Sequence, residues 1–146
     1  MPVITHPFAT TARPDATPDR IAALLSERVV YRSPLVARPL VGRDLLVVVL
    51  ATAGEILDLR YVDEFRGTGE TLLRWEGSVT GRHRLEGIDV VRDDPATGRV
   101  LTLGALLRPL PIAVLFRDEM RRRLGDRAPP DVWETTDETP LTAFAG

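Results

Sequence analysis

The sequence predicts an α+β domain: a cone-like, strongly curved, mostly antiparallel sheet wrapped around helices, with a pocket on its concave face. Three observations predict it. Residues 82–109, RHRLEGIDVVRDDPATGRVLTLGALLRP, read as two long strands joined by the tight turn Asp94-Pro95-Ala96-Thr97-Gly98. Two further strand patterns precede them, at residues 59–66 and 71–80, separated by the Gly67-Thr68-Gly69 and Gly81 turns, so that four strands follow one another as an antiparallel meander. Helical patterns lie before and after this run, and one sheet with helices on one side curves around them.

Taken in order, residues 1–16 carry prolines at 2, 7 and 14 and allow at most a short helix near residues 8–13. Thr17-Pro18-Asp19 is a helix start: a hydroxyl to cap, a proline where a missing N–H costs nothing, and an acid at the positive dipole end. Ile21, Leu24 and Leu25 give this helix its buried side. Residues 28–33, RVVYRS, are a strand with Tyr31 and Ser33 on one face and Val30 and Arg32 on the other. A loop containing Pro34, Pro39 and Gly42 follows. Over residues 42–57 the triple valine favours a strand, whereas the length, Asp44 and the alanines favour a helix; we read a helix buried on most sides. Residues 110–124 close the domain as an amphipathic helix, with Ala113, Phe116, Met120 and Leu124 in one row and Arg121, Arg122 and Arg123 at its negative end. The domain therefore spans residues 17–124, after a short N-terminal segment (1–16) and before a proline-rich, acidic tail (125–146) in which Trp133 and Phe144 are the residues able to dock.

Composition limits the chemistry. The 146 residues are enough to bury roughly two-thirds of the unfolded surface around a single core. A net charge of -2 gives no general attraction to nucleic acid or to an anionic membrane, so neither is an expected partner. All 19 basic residues are Arg, to which no function is attached. The absence of Cys excludes disulfides, thiolate metal sites and a cysteine nucleophile, and His6 and His83 are too far apart in sequence to suggest a zinc site. No metal or other cofactor is expected. No apolar run reaches the 18 or so residues of a membrane span, and a cytoplasmic location is expected.

The segments RVVYRSPLVARPLVGRD, LEGIDVVRDDPATGRV and LGALLRPL resemble those of the SnoaL-like members of the nuclear-transport-factor-2-like superfamily, over about residues 17–124. The resemblance implies a cone fold, usually dimeric, with a pocket between sheet and helices, in a superfamily that includes ketosteroid isomerase, polyketide cyclases and an epoxide hydrolase. It places Asp89 where ketosteroid isomerase keeps a carboxylic acid that stabilises an enolate. Where that enzyme has a general-base Asp before a Pro, this chain has Ser33 before Pro34, and the N-terminal helix that supplies its Tyr is shortened. Ser33 has no base beside it, so steroid isomerisation is not expected. Nor is the Asp-Arg-Asp cluster of the epoxide hydrolase evident.

Read from the residues, Asp89 is a lone carboxylate on the same strand face as Leu85, Gly87 and Val91, and burial there raises its pKa. Asp89 and Tyr31 are the expected catalytic pair, the acid or base and the hydrogen-bond donor to a carbonyl. Ser33, Tyr61, Trp75, Leu101, Leu103 and Leu107 are the expected ligand-binding wall for a small apolar molecule. Each also has a purely structural reading: a satisfied buried carboxyl for Asp89, packing for the aromatic residues, solvated ends for His83 and the arginines at 121–123. The function these residues suggest is a small-molecule pocket protein, a cyclase or isomerase shifting protons on an apolar carbonyl compound. The alternative is a non-catalytic ligand-binding or dimerisation module of the same fold. A homodimer is expected, because Val62, Leu72, Ile88, Val90, Val100 and Leu106 form an outward apolar face.

Overall fold

The Thr17 hydroxyl accepts from the Arg20 amide and Pro18 takes the first position, so the first helix, α1 (Pro18–Leu24), begins where the sequence predicts. This computed structural model describes residues 2–133. Ahead of α1, Pro7–Ala12 forms a 3-10 segment that buries Phe8. The chain passes directly into β1 (Leu25–Arg32), and Leu25, expected on the helix, is instead the first buried residue of that strand. A two-residue strand, β2 (Leu40–Val41), was not legible in the proline-rich loop; it pairs with Val30 and Tyr31. Gly42, at φ 103, turns the chain into α2 (Arg43–Ile56), and the helical reading of the triple valine holds. Leu46, Val49, Thr52 and Ile56 are its buried side, and the Thr52 hydroxyl is satisfied by the Val48 carbonyl at 2.8 Å.

The four long strands, β3 (Leu57–Arg66), β4 (Thr71–Val79), β5 (His83–Asp93) and β6 (Val100–Arg108), form the antiparallel meander, and β1 joins β6 in parallel. The sheet order is β2-β1-β6-β5-β4-β3, and α3 (Leu110–Leu124) packs back on it with Ala113, Phe116, Met120 and Leu124 buried. No helix among the described residues is long and apolar enough to cross a membrane.

Two bulges alter the predicted faces. Arg92 pairs with Thr102 and Asp93 with Val100, so Leu101 is an extra residue in β6. The alternation changes phase there: Val100, expected outside, is 2 % exposed in the core with Leu103. The second bulge, between Tyr61 and Asp63, leaves Val62 outside the pairing and keeps Tyr61 in register with Trp75.

The segment read as a tail begins as structure. Residues 125–133 form two 3-10 turns, Gly125–Arg127 and Pro130–Trp133, that bring Ala128 and Val132 into the core. The Ala37 amide donates to the Val132 carbonyl at 2.8 Å, and Arg38 pairs with Asp131. Phe144 and the rest of 134–146 lie outside the described residues. Removing residues 125–146 is therefore expected to lower the melting temperature by roughly 5 °C or more, since one buried Val is worth about 1.5–3 kcal/mol. An unchanged melting curve would show that this docking contributes nothing.

Candidate active site

Asp89 occupies the middle of β5 between Leu73 on β4 and Ala105 on β6, with its side chain on the concave face. Only 8 % of it is exposed, so both carboxyl oxygens need partners from the protein. Oδ2 accepts from the Tyr61 hydroxyl at 2.6 Å and Oδ1 from the Trp75 indole Nε1–H at 3.2 Å. The second contact depends on Gly87. Trp75 faces Gly87 across the strand pair, and a Cβ there would stand 2.4 Å from the indole Cζ2. The missing side chain lets the ring lie flat against β5 and point its N–H two residues along, at Asp89.

Burial pushes the Asp89 pKa up to about 6, and the hydrogen bonds from Tyr61 and Trp75 oppose the rise because they favour the charged form. Asp89 is therefore mostly a carboxylate at neutral pH, close enough to its midpoint to take up and release a proton. Burial, and next the Asp89 charge, raise the pKa of Tyr31, with the Ser33 hydroxyl opposing; the same two causes raise that of Tyr61 well above the ordinary phenol value. Both phenols stay protonated and can only donate or share their hydroxyl hydrogens.

These groups look into a cavity of about 720 Å³, a volume suited to a small molecule. Leu103, Ala105, Leu107 and Phe116 form its apolar wall, Phe8 and Thr11 come in from the 3-10 segment, and Arg13, Glu55 and Asp58 also border it. Of the predicted site residues, Asp89, Tyr31, Tyr61, Trp75, Leu103 and Leu107 meet here. Leu101 and Ser33 are not among the lining residues. The β6 bulge takes Leu101 out of the alternation, and the Ser33 hydroxyl accepts from the Leu35 amide at 3.1 Å, fixing the turn after β1. Sequence reasoning assigned Tyr61 and Trp75 to a passive wall; their signal as donors was their shared inward parity with Asp89, but the contact required the register. His83 is exposed at the start of β5, and Arg122 and Arg123 pair with Glu119, so the solvated readings of these residues hold. Among the described residues no group of three or more His, Asp or Glu is placed to hold a metal ion.

No family model and no curated protein sequence matches this chain. Solved structures do. An uncharacterised bacterial protein with a cystatin-like fold from Silicibacter pomeroyi superposes with a TM-score of 0.71 at 25 % identity, covering 78 % of this chain and 79 % of the other. A steroid delta-isomerase from Pseudomonas aeruginosa superposes with a TM-score of 0.69 at 26 % identity, over 86 % and 96 %. A protein of the SnoaL-like family from Agrobacterium tumefaciens gives 0.56 at 16 % identity, over 70 % and 92 %. The chain shares its fold with SnoaL-like and nuclear-transport-factor-2-like proteins. A fold is shared more widely than any one activity, so the chemistry rests on the residues of the site.

Proposed function

We propose that this SnoaL-like protein shifts protons on an apolar, carbonyl-bearing small molecule, in the manner of an isomerase or cyclase, with Asp89 as the proton carrier. The observation that carries the proposal is a nearly buried carboxyl, its pKa raised to about 6, held by two donors in a cavity with one apolar wall. A base working near neutral pH needs a midpoint in this range. The carboxylate removes a proton from the carbon next to the substrate carbonyl, the C–H electron pair moves into the enolate, and the protonated Asp89 returns the proton to the same or a conjugated carbon. Tyr31, half-buried and kept protonated, donates to the enolate oxygen. The similarity to a protein named a steroid delta-isomerase supports this reaction class. The turn-capping Ser33, standing where the resemblance expects a base, argues for one carboxyl doing both transfers.

The test is deuterium wash-in: a panel of flat, apolar ketones and enones is incubated with the protein in heavy water, and label at the α- or γ-carbon is read by mass spectrometry. Wild-type protein is expected to accelerate exchange for at least one compound that also raises its melting temperature. Compounds that raise the melting temperature without any exchange would favour the ligand-binding module, a reading that the lack of a second base supports.

A homodimer through the outer face of the sheet is part of the proposal. Phe65 and Leu106 are 55 % and 63 % exposed and lie in the same cross-strand rows as Leu72, Ile88 and Val90. Charged pairs, Arg74 with Asp63, Arg92 with Glu70 and Arg108 with Glu86, flank this patch. Val100 is not part of it, being buried. Ile88→Arg is expected to convert the dimer to monomer in light scattering at micromolar concentration, whereas Arg82→Glu, in the β4–β5 turn, is not; a wild-type monomer mass would overturn the assembly.

A further inference from the structure

His6 is buried, with 5 % of its side chain exposed, and both ring nitrogens are occupied. Nδ1 accepts from the Phe8 amide at 3.1 Å, so the ring proton belongs on Nε2, which donates to Asp93 Oδ2 at 2.9 Å. A histidine with no free nitrogen is not a catalytic base. The His6 backbone N–H also donates to Glu64 at 2.7 Å, the Thr5 hydroxyl donates to the same carboxylate, and Arg66 bridges Thr5 and Glu64. Burial works against the charged form of Glu64, yet these bonds hold its pKa below the usual value. One short segment is thus fastened to β3 through Glu64 and to β5 through Asp93.

What this fastening holds is the far side of the 3-10 segment. His6 caps it, Phe8 is 2 % exposed against the core and lines the cavity, and the Thr11 hydroxyl closes on the Phe8 carbonyl at 2.8 Å. Thr11 lines the same cavity as Tyr61, whose hydroxyl is 2.6 Å from Asp89. Asp93 and Asp89 lie on one strand, four residues apart, so the segment spans from one β5 carboxylate to another: one end is clamped to Asp93 and the other lines the cavity with the donor to Asp89. We propose that His6 and Asp93 are positioning residues for the proton-carrying site, acting through Phe8, Thr11 and Tyr61 to keep the Tyr61 hydroxyl on Asp89. The role rests on the reading of Asp89 as the proton carrier, but its physical content can be tested with no substrate.

The test follows the Trp75 indole N–H in NMR spectra as pH is varied, because that group donates to Asp89 and senses its charge. The titratable side chains facing Asp89 are Tyr31 from β1 and Tyr61 from β3, and both remain protonated throughout the range. Wild-type protein is expected to titrate near pH 6. His6→Ala and Asp93→Ala should move the midpoint upward by roughly half a pH unit or more, because a slackened Tyr61 stabilises the carboxylate less. His6→Gln, whose amide can still donate to Asp93, and His6→Asn, whose oxygen can still accept from the Phe8 amide, separate the two ring contacts; at least one should restore the wild-type midpoint. Should the alanine variants fold and titrate as wild type does, the positioning role is wrong even if deuterium exchange proceeds. If either alanine variant fails to fold, Thr11→Val decides, and a wild-type midpoint in it would overturn the role. Wild-type protein that titrates as expected but exchanges no deuterium defeats the catalytic reading alone.

Discussion

Asp89→Asn is expected to reduce deuterium exchange at least about a hundredfold while leaving ligand-induced stabilisation in place, because it keeps the shape of the carboxyl and removes its ability to carry a proton. The wild-type exchange rate should rise with pH through about 6 and level off above it, as Asp89 becomes the carboxylate base. Stability should respond in the opposite direction. The folded-state pKa is raised from 3.8 to about 6, so the folded protein binds the proton more tightly than the unfolded chain does. The contribution of Asp89 is fully present below pH 4 and is lost as pH rises from about 4 to about 6, a change of about 3 kcal/mol. Glu64 slopes the other way at the acid end, and subtracting the Asp89→Asn curve from that of wild type isolates Asp89. Asp89→Leu divides the same balance differently: it removes the buried charge but leaves the Tyr61 hydroxyl and Trp75 N–H without an acceptor, at about 1–3 kcal/mol each. It should therefore be more damaging at pH 4.5 than at pH 7.5. Exchange by Asp89→Asn at the wild-type rate, or a stability difference between Asn and wild type that does not change from pH 4 to pH 7, would reject the role given to this carboxyl.

The parts of the fold that were legible are those set by local pattern. The alternation of residues 85–91 and 103–107 placed Asp89, Leu103 and Leu107 on the concave face, and the Thr17-Pro18 start fixed α1 to within a residue. The parallel seam between β1 and β6 was not legible because it pairs residues far apart in sequence, and β2 was not because two residues in a proline-rich loop are too few to show alternation. The bulge at Leu101 was hidden for a different reason. A Val-Leu-Thr-Leu run reads as unbroken alternation, and only the pairing of Asp93 with Val100 shows the phase change that buries Val100 and removes Leu101 from the pocket wall. At the site, parity put Tyr61 and Trp75 on the face of Asp89, but which side chain would donate depended on register. His6 lay in a segment without periodicity, and its role follows from contacts with Glu64 and Asp93, 58 and 87 residues away. Ala128 and Val132 were masked by the prolines around them.

Gly87→Ala is expected to be among the most damaging single-methyl changes in the protein. The added Cβ would lie 2.4 and 2.5 Å from two atoms of the Trp75 indole and 2.8 Å from the Leu106 carbonyl oxygen. The carbonyl belongs to the β5–β6 ladder and cannot retreat without breaking the pairing of Gly87 with Leu107, so the indole must move. Trp75 is 2 % exposed, and its ring has no empty space of its own size to enter except the cavity. Overpacking of this kind costs about 1–3 kcal/mol, and the loss of the Trp75–Asp89 hydrogen bond leaves a buried donor unpaired at a further 1–3 kcal/mol or so. A loss of about 3 kcal/mol or more in urea unfolding is the expected result, with an upward shift of the Asp89 midpoint because one of its two donors has gone. Gly81→Ala serves as a comparison: its Cβ meets nothing within 4 Å, and at φ +72 it carries only the left-handed backbone penalty of about 1–2 kcal/mol. The two losses have different cures. Trp75→Leu removes the ring that the Gly87 methyl strikes, so the double variant should lose less than the sum of the two single changes, whereas Gly81→Ala and Trp75→Leu should add. A Gly87→Ala protein within 1 kcal/mol or so of wild type would mean that the indole can leave β5 freely, and the donor would then not be fixed on Asp89 by the bare backbone beneath it.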